Sequence, residues 1–215
     1  MKFYNNITDI EVGVDEVGRG CLFGPVVAAS CILPQNFDNI DFDIPKIADS
    51  KKLSKKQREL AYDFLKYFCI DYSVAFIDND IVDKVNIYNA TMNAMHNSLD
   101  NLKLDMDMIL IDGKTFKFYI NKKGQLVPYY CIVSGDNKYY SIAAASILAK
   151  VTRDRYIEDL CQKYPLLNEQ YKLLSNKGYG TKQHLDGIKK YGITNFHRKT
   201  FGICKKFIKS IKEIT

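Results

Sequence analysis

The 215-residue sequence has no apolar run of the roughly 18 residues that a membrane-spanning helix needs, so no such helix is expected. The opening Met1-Lys2-Phe3-Tyr4-Asn5-Asn6 leads into acidic sequence and has no apolar signal core, which makes a cytoplasmic location the expectation. Six cysteines (Cys21, Cys31, Cys69, Cys131, Cys161, Cys204) are scattered and never form a C-x-x-C pair. That argues against a zinc site or a redox dithiol, and favours reduced, mostly buried thiols. There is also no internal repeat, no low-complexity tract and no clear interdomain linker. One domain over residues 1–215 is therefore expected, with about 165–215 forming a helical, basic C-terminal extension.

What is present is an ordinary globular composition, 47% hydrophobic and 26% charged, with an uneven distribution of charge. Residues 1–50 carry three basic and eight acidic side chains, whereas residues 165–215 carry eleven basic and three acidic. An acidic beginning and a basic end suit a site that gathers cations beside a surface that gathers phosphates. Charge alone leaves open that these groups only solvate helix faces.

The hydrophobic pattern predicts strands over residues 11–17 and 22–33, joined by a turn rich in glycine. Ser54 with Gln57 is a capping-box signal opening a helix to about Tyr67, and residues 69–77 alternate as a third strand. A helix is expected over 86–102, a buried strand over 108–111 closing on Asp112-Gly113, and another strand over 127–133 closing on Gly135-Asp136. The longest helix, 141–163, opens on Ser-Ile-Ala-Ala-Ala-Ser, whose small side chains permit close packing. A loop at 177–181, a helix near 183–191 and a basic amphipathic tail with Phe207, Ile208, Ile211 and Ile214 complete the chain. The class is α/β.

Three of these strands end in acids: Asp15-Glu16, Asp112 and Asp136. Ligand sites of open α/β sheets lie at such strand ends. Four carboxylates gathered there repel one another unless protonated or neutralised, and the natural neutraliser is a hard cation with oxygen ligands, Mg²⁺ or Mn²⁺. Two such ions about 3.5–4 Å apart serve in-line attack on a phosphodiester. Asp112-Gly113 and Gly135-Asp136 are equally explained as turns. Asp15-Glu16 is harder to dismiss, because adjacent strand residues face opposite sides and one of the two acids should point into the core.

Gly13-Val14-Asp15-Glu16-Val17-Gly18-Arg19-Gly20 followed by Gly24-Pro25-Val26-Val27-Ala28-Ala29 is similar to the opening signature of ribonuclease HII. The resemblance continues in order through Asp49-Ser50-Lys51-Lys52-Leu53-Ser54, Asn86-Ile87, Ala90-Thr91-Met92, Leu110-Ile111-Asp112-Gly113 and Gly135-Asp136. It ends with the block from Ser141 to Asp154, Lys177-Gly178-Tyr179-Gly180-Thr181, His197-Arg198 and Phe201-Gly202, and so spans about residues 11–204. The Gly-Arg-Gly turn, and the lack of room for an extra N-terminal domain, point to type HII rather than HIII. The sequence departs from the family at Cys21, where proline is usual, at Phe23, where a small residue is common, and in a longer 166–176 segment that bears on the Tyr179 loop.

The resemblance implies a ribonuclease H-like fold, with a central mixed sheet flanked by helices. It implies an endonuclease that hydrolyses the RNA strand of RNA–DNA hybrids and cuts 5′ of ribonucleotides embedded in duplex DNA, serving ribonucleotide excision repair and DNA replication. Asp15, Glu16, Asp112 and Asp136 are the implied catalytic ligands of two Mg²⁺ or Mn²⁺ ions. Gly18, Arg19 and Gly20 are implied to read the 2′-hydroxyl, a reading that a close-approaching glycine backbone supports. Tyr179 is implied to stack on the junction sugar. Lys51, Ser146 and Lys150 are placed with the substrate, and Lys52, Lys177, Lys182 and Arg198 are further candidates for backbone phosphates. Asp154 shares a helix face with Ser146 and Lys150 but is read as a neighbour, explained by an ion pair with Lys150 or Arg153; His184 and His197 could assist proton transfer, although a lone histidine beside a basic loop is usually structural. A monomer is expected. Whether the tail from Lys205 meets DNA, a sliding clamp or only its own domain stays open.

Overall fold

The valine-rich runs on either side of the first glycine turn form strands β1 (Glu11–Val17) and β2 (Val26–Ile32), paired antiparallel with Val12 opposite Ile32 and Val17 opposite Val27. The computed structural model describes residues 1–4, 10–35 and 45–214. Asp9, Asp38, Asp41 and Asp43 of the acidic opening lie outside the described residues. The elements that follow are α1 (Lys55–Phe68), β3 (Asp71–Ile77), α2 (Asn79–Asp100), β4 (Met108–Asp112), β5 (Tyr119–Ile120), β6 (Leu126–Val127) and β7 (Tyr129–Ile132). Then come α3 (Tyr140–Lys163), α4 (Pro165–Tyr171), α5 (Leu173–Asn176), α6 (Lys182–Tyr191), β8 (Ile193–Thr194), a 3-10 helix (Gly202–Ser210) and β9 (Ile211–Lys212).

The main sheet has the order β3-β2-β1-β4-β7, with β1 parallel to β4 and β4 parallel to β7, so the expected mixed sheet is present. Every residue of β2 is buried, as expected of a strand covered on both faces. The capping box of α1 forms as read: the Ser54 side chain accepts from the Gln57 amide, and the Gln57 side chain accepts from the Ser54 amide.

Cα packing divides the chain into two units. The first comprises 1–17, 27–75 and 92–151, the second 18–26, 76–91 and 152–215. In the first, a core of Ala29, Cys31, Leu65, Ala143, Ala144, Ile147 and Leu148 lies between the sheet and helices α1 and α3. The alanines of α3 do what their size suggests. A Cβ on Gly13 of β1 would lie 2.1 Å from the Ser141 carbonyl carbon, so helix and strand meet backbone to backbone. In the second unit, Leu22, Phe23, Ile157, Leu167, Tyr171, Leu173 and Ile188 form a separate core.

Two elements differ from expectation, each with a local cause: the second helix and the strand expected over 127–133. Helix α2 starts at Asn79, and the expected start at Asn86 is a break where Asn86 adopts φ 68°. The Asn86 side chain accepts from the Asn89 amide and so caps the second half of that helix. The strand expected over 127–133 is split by Pro128, which has no N–H to donate; β6 turns to β5 while β7 joins the main sheet. Residues 165–176 form the helices α4 and α5. In the basic tail, Phe207, Ile211 and Ile214 pack on the second unit's core, Ile208 is exposed, and β9 pairs with β8.

Gly13→Ala is expected to destabilise the protein by roughly 2 kcal/mol or more, because neither backbone can yield without moving α3 off the sheet. Urea unfolding measures this, and a change within 0.5 kcal/mol would contradict the packing described.

Candidate active site

The parallel register of β1 and β4 sets Val14 beside Ile111, so Asp15 and Asp112 fall one step further along their strands, at neighbouring positions. Asp136 arrives from the turn after β7. Ser134 there adopts a left-handed conformation (φ 55°), and Gly135 leaves no space for a side chain, since a Cβ would lie 2.5 Å from Ile142 Cδ1. The Gly135 amide donates to Asp112 Oδ1 at 2.7 Å, so one acid of the cluster holds the turn that carries another. Asp15, Asp112 and Asp136 each offer a carboxylate oxygen within 4.8 Å of the others. Glu16 lies outside that group. It is half-buried on β1, where alternation turns adjacent side chains to opposite faces.

The electrostatics follow from this crowding. Burial raises the Asp15 carboxyl well above the usual range, and the charges of Glu16 and Asp112 raise it further. Hydrogen bonds from the Ser146 side chain and from the Glu16 amide (2.7 Å) act the other way. Asp136 is pushed up to about 6 by burial and by Asp112 and Asp49, against the opposing pull of Lys51 and a hydrogen bond from Asn137. At an effective dielectric near 20, two like charges at this spacing repel by roughly 3–4 kcal/mol. Three hard oxygen donors in so small a space fit a divalent cation, which supplies the missing positive charge.

A supporting ring surrounds the acids, and only part of it was expected. Ser146 Oγ lies 3.0 Å from Ser50 Oγ, so the 49–52 loop is tied to α3 beside Asp15. Asn137 Nδ2 donates to Asp136 Oδ1 at 3.0 Å and to Asp49 Oδ2 at 3.5 Å, while Lys52 Nζ donates to Asn137 Oδ1. Asp49, Ser50 and Asn137 were not singled out from sequence for this role. Asp49-Ser50 stood beside the lysines read as phosphate contacts, and Asn137 directly follows Asp136. Lys51 is exposed and close enough to bear on Asp136, and Lys150 is half-buried on α3.

The second unit holds the residues expected to read the sugar. Gly18 is buried with φ 91°, whereas Arg19 and Gly20 are exposed, and a Cβ at Gly20 would meet nothing within 4 Å. Tyr179 is 38% exposed and bridges to Cys21, so one of the sequence departures forms part of this loop's support. Burial and the Cys21 thiol push the Tyr179 phenol up to about 12, so it stays protonated at neutral pH. Asn176, from the longer segment, receives the Gly178 amide on its side chain (2.8 Å) and the Tyr179 amide on its carbonyl (2.9 Å).

Two phosphate candidates are otherwise engaged. Lys177 pairs with Glu158 at 2.8 Å, and Arg198 is fully buried. His184 and His197 are both buried and paired with each other. The Thr194 amide donates to His197 Nδ1 (3.0 Å), so Nε2 of His197 carries the proton and donates to His184 Nε2 (3.2 Å). His184 Nδ1 then donates to the Tyr179 carbonyl (2.9 Å). Burial lowers both imidazoles, His197 more strongly, and keeps the pair neutral.

A family model described as Ribonuclease HII matches residues 12–204. The ribonuclease HII of Christiangramia forsetii is 46% identical over 202 residues, 94% of each chain. Among solved structures, the ribonuclease H2 from Pyrococcus horikoshii OT3 is similar with a TM-score of 0.72 at 26% identity, covering 93% of this chain and 97% of that one. The RNase HII from Archaeoglobus fulgidus, solved as a PCNA complex, has a TM-score of 0.70 at 23% identity, covering 90% and 95%.

The crowding of the acids has a measurable sign. The Asp136 carboxyl is raised in the folded chain, so its contribution favours folding below the unfolded value near 4 and is lost as pH rises through about 6. With chelator present, Asp136→Asn is therefore expected to be more stable than wild type at pH 8, by on the order of 1–3 kcal/mol, with the difference closing toward pH 4. Thermal or urea unfolding across that range checks it; a variant less stable than wild type at pH 8 would contradict the repulsion.

Proposed function

The chain belongs to the ribonuclease HII family, and from that premise we propose that it cuts on the 5′ side of ribonucleotides in RNA–DNA hybrids and in duplex DNA, leaving 3′-hydroxyl and 5′-phosphate ends. The family makes it a divalent-metal-dependent ribonuclease H endonuclease with a ribonuclease H-like fold. No helix among the described residues is long and apolar enough to cross a membrane.

One observation carries the reading: three mutually repelling carboxylates stand at the strand ends, and the chain leads from Asp15-Glu16 directly into the Gly18-Arg19-Gly20 turn. Asp15, Asp112 and Asp136, joined by Glu16, are the candidate ligands of two Mg²⁺ or Mn²⁺ ions. Bound there, the ions supply Lewis-acid activation of the attacking water and charge stabilisation at the leaving 3′-oxygen.

The residues of the chain do the rest. Ser146 and the Glu16 amide orient Asp15, Asp112 fixes the turn bearing Asp136, and Lys51 moderates the charge at Asp136. Lys51 and Lys150 serve backbone phosphates, which position the duplex without reading sequence. The open approach at Gly20 suits a sugar edge, and Tyr179 offers an exposed, protonated ring for stacking on it. Both units serve one catalytic domain, acting as a monomer in the cytoplasm, in ribonucleotide excision and in replication. The PCNA complex is a property of the Archaeoglobus protein, and no residue of this chain is assigned to a clamp.

A DNA duplex with a single embedded ribonucleotide, incubated with Mg²⁺ or Mn²⁺, tests the proposal. Cleavage 5′ of the ribonucleotide is expected. Equal cutting of an all-DNA duplex would instead indicate a general nuclease of the same fold, and binding without cleavage a non-catalytic nucleic-acid module. Asp15→Asn and Asp136→Asn are each expected to abolish cleavage while hybrid binding persists; retained activity would sink the ligand assignment. Tyr179→Ala should reduce cleavage at the isolated ribonucleotide more than cleavage of long hybrids.

A further inference from the structure

In the sequence Arg153 directly precedes Asp154 and stands, like Lys150, as an ion-pair partner for it. In the structure it is fully buried, and all three nitrogens of its guanidinium face backbone carbonyls. Nε donates to the Pro25 carbonyl at 3.0 Å, Nη2 to that of Phe23 at 2.9 Å, and Nη1 to that of Lys177 at 2.8 Å. Two of these carbonyls belong to the loop that begins at Gly18, and the third to the loop that carries Tyr179. The loops also meet directly, through the Leu22 amide on the Gly178 carbonyl at 2.8 Å.

The glycines of both loops are fitted to this guanidinium. A Cβ at Gly18 would lie 2.4 Å from Arg153 Nε, one at Gly178 would lie 3.4 Å from Nη2, and one at Gly24 3.7 Å from it. The glycines therefore supply room for a planar cation as well as unusual backbone angles. Arg198 lies behind the same loop, donating to the Gly24 and Arg19 carbonyls at 3.0 Å each, but its Nη2 is buried with no hydrogen-bond partner among the described residues. Arg153, with all three nitrogens matched, is the better-defined tie.

We infer that Arg153 is a positioning residue for ribonucleotide discrimination: its guanidinium holds the 18–25 loop and the 177–180 loop in one fixed register, so that the 2′-hydroxyl reader and the stacking tyrosine engage the same nucleotide. The inference rests on the assignment of residues 18–20 and Tyr179 to the sugar made above. Only arginine offers this arrangement. Its N–H donors diverge from one rigid plane, whereas a lysine ammonium is a single point donor on a flexible stem. Substituting lysine keeps the charge but leaves carbonyls of at least one loop without their donor. Misplacement of a recognition group by about 1 Å is enough to cost on the order of 100-fold in rate.

The test compares wild type, Arg153→Lys, Tyr179→Ala and the double variant on two substrates, a duplex with one embedded ribonucleotide and a long RNA–DNA hybrid. Arg153→Lys is expected to lower kcat/KM on the first by about 10- to 100-fold and on the second by less than about threefold. In the Tyr179→Ala background the same substitution should add less than about threefold, because the two act through one contact. Equal losses on both substrates, or fully additive effects, would overturn the inference and leave Arg153 a general stabiliser. If Tyr179→Ala itself leaves the substrate preference unchanged, the sugar-reading assignment fails, and this inference with it. A normal Tyr179→Ala response beside an unselective Arg153→Lys loss refutes the inference alone. Should Arg153→Lys not fold, hydrogen exchange on the wild-type protein decides. The Leu22, Tyr179 and Arg198 amides should share one high protection, and a Leu22 amide exchanging orders of magnitude faster than the others would show that the loops move independently.

Discussion

The repulsion among Asp15, Asp112 and Asp136 is the constraint on which the first unit depends. Three carboxylates with oxygens within 4.8 Å would drift apart on flexible segments, so each is fixed by something rigid. Asp15 and Asp112 sit on adjacent parallel strands in a register set by five buried residues of β1 and four of β4. Asp136 is held through the Gly135 amide that Asp112 itself receives. The close contact of Gly13 with Ser141 brings the start of α3 onto the sheet, and the Ser141 hydroxyl reaches Glu11 at 2.5 Å. Packing thus opposes a charge repulsion that folding alone does not relieve, and a cation held by the three aspartates would relieve it.

The second unit solves a different problem. The proposed reading of a sugar hydroxyl by backbone groups would require loops as fixed as side chains in a core, although loops have no repeating hydrogen-bond ladder. Here buried side chains stand in for the ladder: Arg153 and Arg198 donate to five carbonyls of residues 19–25 and 177, and the His197–His184 pair ends on the Tyr179 carbonyl. Burying guanidinium and imidazole groups carries a desolvation penalty, which the backbone acceptors offset for the arginines and neutrality removes for the histidines.

Much of this was legible in the sequence because it rests on local pattern. The strands at 11–17 and 108–112, the capping box at Ser54 and the acids at strand ends follow from alternation, caps and turn chemistry. The likeness of ordered blocks to one family then joined Asp15, Glu16, Asp112 and Asp136 across more than half of the chain, something periodicity cannot do. The structure brings three of these four into one group, and the alternation that marked the Asp15-Glu16 pair as unusual also sets Glu16 apart. What stayed hidden was tertiary. Nothing local distinguishes Arg153 or Arg198 from surface arginines, since their partners are backbone carbonyls that any residue provides. The hairpin of β5 and β6 was hidden because its strands are only two residues long and Val127 reads as the start of the apolar stretch that continues beyond Pro128.

The central claim is that the three aspartates form a charge-strained cation site, and Mn²⁺ titration by calorimetry at pH 6 and pH 8, in buffers of differing ionisation enthalpy, tests it most directly. With Asp136 raised to about 6 and Asp15 raised as well, binding at pH 6 must displace protons. The account predicts release of about half a proton or more per protein at pH 6, falling toward zero for Asp136 at pH 8, and a smaller release at pH 6 in Asp136→Asn. Mn²⁺ binding with no proton release at pH 6, or binding unchanged in Asp136→Asn, would contradict it.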